Sequence, residues 1–426
     1  MISHWLSARL ARHDIYYGWA VVAATFLTTL ASAASISAPG VFIVPLEQEF
    51  QWSNAEISSA LSIRLLLYGL VAPFAAALIN RYGMRNVVIS ALTTIVAGLT
   101  LSLFMTEVWQ LILLWGIVVG TGTGMIALVL GATVAARWFV ERRGLVVGLF
   151  AASTATGQLL FLPLFAGLTE LYSWRVATIA LCILMAIAAL SVLLVVRDRP
   201  SDLALRPFGD DGSEPIAPPP IETSITSSAL NALRDASQSR TFWVLFFTFY
   251  ICGASTNGLI QTHFIALCGD YSIPATGAAT LLAAMGIFDV IGTICSGWLS
   301  DRYDNRWLLF WYYGLRGLSL MLLPFTDFTL YGLSLFALFY GLDWVATVPP
   351  TVRLSAATFG PERANLMFGW IFAGHQLGAA STALGAGISR TYLASYLPAF
   401  FFAGLLCLIA SLAALSIRRD KRSAVA

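Results

Sequence analysis

The feature that most constrains this chain is a rhythm of long apolar stretches, each about the length of a bilayer crossing, broken only by short polar clusters. A helix crossing ~30 Å of hydrocarbon needs ~20 apolar residues. By that rule twelve spans are expected, near 17–46, 53–79, 87–105, 109–136, 144–168, 174–196, 241–268, 275–300, 307–325, 328–356, 364–390 and 395–417. The breaks fall at clusters such as "EQEFQWSNAE", "NRYGMRN", "RWFVERRG", "DRYDNR" and "FGPERAN". Only 11% of the residues are charged and 58% are hydrophobic. A soluble domain carries about a quarter charged residues, because its surface faces water. Most of this surface must therefore face lipid. The basic start (His4, Arg9, Arg12) resembles a signal-peptide n-region, but the apolar run over 16–46 is too long for an h-region and is read as a first membrane helix.

Other composition signals narrow the function. A net charge of +2 gives no reason to expect nucleic acid. The five cysteines (Cys182, Cys252, Cys268, Cys295, Cys407) sit in apolar runs without metal-ligand spacing and read as small core residues. No nucleotide loop, metal constellation or nucleophile–base arrangement appears, so neither a cofactor nor catalysis is implied. The segment 197–240 contains "GDDGSEPIAPPPIETSITSS", whose Pro, Ser and acidic residues cannot build a core. It is expected to be a flexible cytoplasmic linker between bundles 1–196 and 241–426.

Basic residues set the orientation. With the N-terminus inside, Arg81, Arg85, Arg137, Arg142, Arg143, Arg197, Arg199, Arg302, Arg306, Arg353, Arg363 and the "RRDKR" tail all fall on the cytoplasmic side. The opposite loops are acidic, with Glu47, Glu49, Glu56, Glu107, Glu170, Asp270 and Asp327. This is the positive-inside pattern, and it places both termini in the cytoplasm.

The halves also repeat. A shift of 221 positions carries "ALINRYGMRN" (77–86) onto "WLSDRYDNRW" (298–307) and "ERRGLVVG" (141–148) onto "ERANLMFG" (362–369). Two charged loops sharing one offset indicate a duplicated six-helix unit. The stretch "GWLSDRYDNR" resembles the loop motif G-x-L-(A/S)-D-R-x-G-x-R of the major facilitator superfamily, with Asp304 where a Gly is usual. The first half has Ala76 and Asn80 in place of the motif's Gly and Asp. Within that superfamily "YYGWAVVAATFL", "ERRGLVVGL" and "RDRPSDLALRPFG" look most like the monocarboxylate and oxalate–formate branch. The resemblance implies an all-α membrane protein of twelve transmembrane helices in two six-helix pseudo-repeats. It also implies gating roles for Asp301, Arg302, Arg306, Arg81 and Arg85. Monocarboxylate transporters are similar in having an Asp in the eighth helix with an Arg one turn later, and a Lys in the first. Here Asp289 matches the Asp, but Thr293 stands one turn on and the first span has no Lys, so that carboxylate clamp is not carried over intact.

Ionisable groups inside a bilayer are costly and mark function or a fixed pair. At ~1.5 Å per residue, Arg316 and Asp343 each lie roughly 15 Å from the basic end of their spans, and Asp289 and His375 roughly 18 Å. Four helices thus bring these groups to one level. Arg316 in "YYGLRGLSL" reads either as one half of a structural ion pair or as part of a proton-coupling network with Asp289 or Asp343. An Arg keeps its proton, so the carrier would be an acid. One Arg against two acids leaves one carboxylate short of a partner, and burial favours its neutral form. Asp289 is preferred. Arg64 in "SSALSIRLLLYGL" lies roughly 22 Å up the second span in a half with no membrane-depth acid. It pairs with a backbone carbonyl or snorkels, or it meets an anionic substrate through a bidentate fork. Tyr68, one turn below, adds a hydroxyl.

Gln158, Asn257, Gln261 and His375 are softer candidates for orienting a ligand, each also explicable as interhelical hydrogen bonding. His263 reads as interfacial. "GTGTG" at 120–124 is expected to be close helix packing rather than a phosphate loop, and Pro349 and Pro350 are expected to kink or unwind the tenth span. Together these point to a monomeric inner-membrane transporter of a small organic anion, a monocarboxylate, coupled to protons or working by exchange. The rivals are a proton-driven efflux pump for amphipathic or aromatic compounds, favoured by Phe288, Trp344 and Trp370, and a membrane sensor or scaffold.

Overall fold

The computed structural model describes residues 2–126, 129–210 and 225–417. Among these residues the regular elements are all helices, apart from one isolated bridge between Phe139 and Phe208. Ten helical segments are long and apolar enough to cross a membrane, and Arg143–Leu171 and Pro361–Leu393, of 29 and 33 residues, are also long enough. The spans in order are Gly18–Phe50, Asn54–Tyr82, Met84–Ser102, Val108–Ile126 with Val129–Trp138, Arg143–Leu171, Trp174–Val195, Arg240–Asp270, Ala275–Ser300, Asn305–Thr326, Leu330–Asp343 resuming at Val348–Phe359, Pro361–Leu393 and Leu397–Ala414. Their ends fall within about a helical turn of the sequence-based boundaries.

The polar clusters that end one span also start the next. Ser53 closes a capping box with Glu56, whose carboxylate accepts the Ser53 N–H at 2.8 Å. Ser173, Ser239 and Thr329 cap the sixth, seventh and tenth spans. Between the two repeats the second span packs on the eleventh, the fifth on the eighth, and the end of the first on the end of the seventh. The third pairs with the sixth and the ninth with the twelfth at the flanks.

"GTGTG" is a packing device, as expected. A Cβ at Gly120 would lie 2.9 Å from the Arg64 Cα, and one at Gly124 would lie 3.0 Å from the Leu67 carbonyl oxygen, so this face seats the fourth span on the second. Gly122 faces the third span instead, where a Cβ would meet Ile95 and Ala91.

The duplication extends to individual hydrogen bonds at the arginine-rich end. The Arg306 guanidinium donates to the Ile417 carbonyl at 3.2 Å, and Arg85, its equivalent, donates to the Leu193 carbonyl at 2.7 Å. Each arginine closes the C-terminal end of the last span of its own repeat. The Arg306 amide is capped by Asp304 at 3.0 Å and the Arg85 amide by Asp198 at 2.9 Å. Position 83, equivalent to Asp304, is a glycine at φ +86°, where a Cβ would strike Asp198. Gly83→Ala should therefore cost about 1–3 kcal/mol from backbone conformation alone. A fall in the thermal unfolding midpoint checks this, and an unchanged midpoint would count against it.

The segment 197–240 carries more structure than its composition suggests. Phe208 donates to the Trp138 carbonyl at 2.9 Å and accepts from Val140 at 2.8 Å, and Tyr16 Oη donates to the Arg206 carbonyl at 2.8 Å. Residues 197–210 therefore clasp the loop after the fourth span. The helix Ile225–Ser237 touches both the second and the eleventh spans. Residues 211–224, the Pro-rich part of the expected linker, lie outside the described residues.

Candidate functional site

The membrane-depth charges sit where prolines have broken the helical ladder. Pro349 and Pro350 have no N–H to offer the carbonyls of Val345 and Ala346. The tenth span accordingly stops at Asp343 and resumes at Val348. The Ala346 carbonyl takes the Ser296 hydroxyl instead, from the eighth span. Arg316, reaching in from the ninth, donates through Nη2 to the carbonyls of Asp343 and Trp344. Its Nε donates to Asp343 Oδ2 at 2.6 Å and its Nη1 to Cys252 Sγ at 3.0 Å. The Val345 N–H, free in the break, donates to Asp289 Oδ1 at 2.9 Å, and the Thr293 hydroxyl donates to the same oxygen at 3.0 Å. Irregular backbone at membrane depth needs partners of this kind.

Two readings from depth are thereby sharpened. Both acids lay at the level of Arg316, and the structure pairs it with Asp343, whose other oxygen, Oδ1, is buried without a partner among the described residues. Asp289 forms no ion pair among the described residues and is 7% exposed. Thr293, one turn on, holds the Asp289 carboxylate by its hydroxyl. Cys252, read from sequence as a packing residue, is also a hydrogen-bond acceptor for Arg316 and lies 3.3 Å from Thr347 Oγ1.

Arg64 follows the same rule in the first repeat. Ser35 would bond four residues on, but that residue is Pro39, so its carbonyl is left over. Arg64 Nη2 donates to it. Arg64 is buried, and no carboxylate pairs with it among the described residues. Around the guanidinium is a cavity of 20 Å³, room for about one water. It is lined by Ser37 and Gly40 of the first span, Leu61 and Arg64 of the second, and Asn257 and Gln261 of the seventh. Only a glycine permits that approach: a Cβ at Gly40 would lie 2.7 Å from the Gln261 carbonyl oxygen.

The remaining candidates separate into those near this centre and those away from it. Tyr68 meets Phe372 edge-on at 6.0 Å, and Phe372 stacks on His375 at 5.7 Å. His375 also packs on Phe249 and keeps a buried Nδ1 without a partner among the described residues. The Gln158 side chain lies outside the described residues. His263, read as interfacial, is fully buried, with Nε2 2.8 Å from the Ala383 carbonyl oxygen. At the arginine-rich end Asp301 pairs with Arg353 at 2.9 Å, Arg302 lies over Trp298 at 4.2 Å, and Arg81 lies over Tyr82 at 5.4 Å. The residues sequence reasoning missed are the backbone acceptors, Ser35 and Trp344. The prolines four and more residues downstream were the available signal.

Among the described residues, ten candidate spans and two further long helices, an internal two-fold repeat and a polar centre between the repeats agree with the pattern of the Major Facilitator Superfamily, which matches residues 25–380 and, overlapping, 264–426. The chain belongs to that superfamily. Monocarboxylate transporter 13 of Bos taurus is 27% identical over 401 residues, 93% of this chain and 88% of that protein. The MFS-type transporter YcxA of Bacillus subtilis (strain 168) is 23% identical over 404 residues, 92% of this chain and 94% of that protein. Among solved structures, the nucleoside transporter NupG superposes with a TM-score of 0.75 at 11% identity, covering 95% of this chain and 100% of that one. A D-xylose–proton symporter gives 0.71 at 12% identity, covering 96% and 99%. At such identities the structures speak to the fold alone. This facilitator is thus a multi-pass membrane protein whose relatives are transporters rather than enzymes, monocarboxylate transporters among them.

Proposed function

We propose that this facilitator carries a small organic monoanion, a monocarboxylate, across the inner membrane by alternating access, with proton coupling or by exchange. The observation that carries the reading is Arg64: a guanidinium buried at mid-membrane between repeats, beside Asn257 and Gln261, with no acid paired to it among the described residues. The Ser35 carbonyl gives it one neutral acceptor. A carboxylate gives two charge-assisted bonds and outcompetes a lone carbonyl. The cation at Arg64, with Asn257 and Gln261 beside it, also favours an anion over the amphipathic cargo of an efflux pump. In this reading the bundles 1–196 and 241–426 rock about the centre as a monomer, with both termini in the cytoplasm and the Asp301–Arg353 pair among the contacts at that end. Asp289 is the group that takes up and releases the proton.

Thermal-shift titration of the purified protein with monocarboxylates of two to four carbons tests the site. Arg64→Gln should weaken binding about 10- to 100-fold, the loss expected for charge-assisted hydrogen bonds. Arg64→Lys, which keeps the charge without the fork, should fall between. Equal midpoints for wild type and Arg64→Gln across the titration would remove Arg64 from the binding site.

A further inference from the structure

Two hydrogen bonds at the acidic end of the protein cross from one repeat to the other and are images of each other. The second span begins at Asn54, and its Ala55 N–H donates to Thr391 Oγ1, at the end of the eleventh span, at 2.9 Å. The eighth span begins at Ala275, and its Thr276 N–H donates to Glu170 Oε1, at the end of the fifth, at 3.0 Å. The 221-residue shift turns Ala55 into Thr276 and Glu170 into Thr391. The same amide of the same span is therefore closed by the same position of the opposite repeat, twice.

Neither amide has another protein partner available in its own helix, since the first turn of a helix leaves its N–H groups unpaired. Ser53 serves the Glu56 amide, and Pro274, which precedes the eighth span, has no side-chain acceptor. A carboxylate at the second site also faces the positive end of the helix dipole. The ion pairs nearby are of another kind. Glu49 binds Arg175 at 2.6 Å and Asp270 binds Arg390 at 2.9 Å, and each pair lies within one repeat. Glu49 and Asp270 are again images under the shift. Rocking of the repeats leaves these pairs whole and must break the two crossing bonds.

We infer that Glu170 and Thr391 are paired latches that hold the acidic end closed, positioning residues that set how often that end opens. The inference rests on the alternating-access reading above, but its test uses no substrate, so either can fail alone. Leu171 and Tyr392, next to the latches, are 77% and 78% exposed and are themselves images under the shift. Spin labels on Leu171→Cys and Tyr392→Cys, in full-length protein in nanodiscs, report the separation of the two repeats at this end. Singly substituted controls account for the native cysteines.

In Glu170→Ala/Thr391→Val the ratio of long to short distances should rise by about thirtyfold or more, the change expected on losing one charge-assisted and one neutral hydrogen bond. Each single variant should fall between, and Glu170→Gln and Thr391→Ser, which keep an acceptor, should return most of the closed population. An unchanged distance distribution in the double variant overturns the inference. So does a Thr391→Ser variant that behaves like Thr391→Val, because the hydroxyl would then not be the latch.

Discussion

Arg316→Met should be the most destabilising single change in the second repeat, at about 3–5 kcal/mol, the range for removing one partner of a buried ion pair. Three losses coincide. Asp343 is left as a buried, uncompensated charge, and the carbonyls of Asp343 and Trp344 lose their donor in a break that cannot supply another. Membrane proteins usually unfold irreversibly, so the measurement is a half-life at raised temperature by size-exclusion of the surviving monodisperse fraction. If the loss falls on the unfolding barrier, that half-life shortens by more than about a hundredfold. Arg316→Met/Asp343→Leu should recover the part due to the stranded charge but not the part due to the carbonyls. Arg316→Lys should recover little, because a single ammonium cannot reach a carboxylate, two carbonyls and a thiol together. A half-life for Arg316→Met equal to wild type would mean the break is held by something other than this guanidinium.

Sequence spacing reveals depth along a helix but not the direction a residue faces around it. That difference explains which parts of the centre were legible. Arg316, Asp343, Asp289 and His375 were placed at one level by counting, yet counting could not decide whether Arg316 meets Asp289 or Asp343. The answer depends on the turn of the tenth span after its break, which brings the Asp343 side chain and two carbonyls to the ninth span and aims the Val345 N–H at the eighth. Arg64 shows the same limit. Its burial and lack of an acid were visible, but its acceptor is a carbonyl 29 residues away, freed by Pro39. The spans themselves were legible because lipid permits few alternatives to apolar helices. The clasp made by residues 197–210 was hidden because it uses backbone bonds at Phe208, which leave no mark in composition.

The 221-residue shift also separates what the two repeats share from what they do not. The caps of Arg85 and Arg306, the acids Glu49 and Asp270, and the crossing bonds at Ala55 and Thr276 all have counterparts. The mid-membrane charges have none: Arg64 falls on Met285, Asp289 on Tyr68, Arg316 on Ile95 and Asp343 on Gly122. Symmetry is kept at the two ends, where the proposed alternating access would have the repeats move alike. It is lost at the centre, where an asymmetric cargo and a proton would need different partners.

That asymmetry makes Asp289 the sharper test of coupling. Asp289→Asn keeps the size of the side chain and an oxygen that accepts from both Thr293 and the Val345 N–H, so the fold should hold and the break should stay capped. What it removes is the ability to bind and release a proton. In the proposed coupling, Asp289 as a carboxylate accepts the Val345 amide through a charge-assisted bond, and protonation would weaken that bond across the tenth-span break. In proteoliposomes under an imposed pH gradient, Asp289→Asn should lose accumulation of a monocarboxylate above its external concentration while keeping counterflow exchange. Asp343→Asn should behave differently, shortening the thermal half-life because Arg316 then lacks its counter-charge. Accumulation by Asp289→Asn at the wild-type level would exclude Asp289 as the proton carrier and point instead to Asp343, whose Oδ1 lies buried without a partner among the described residues.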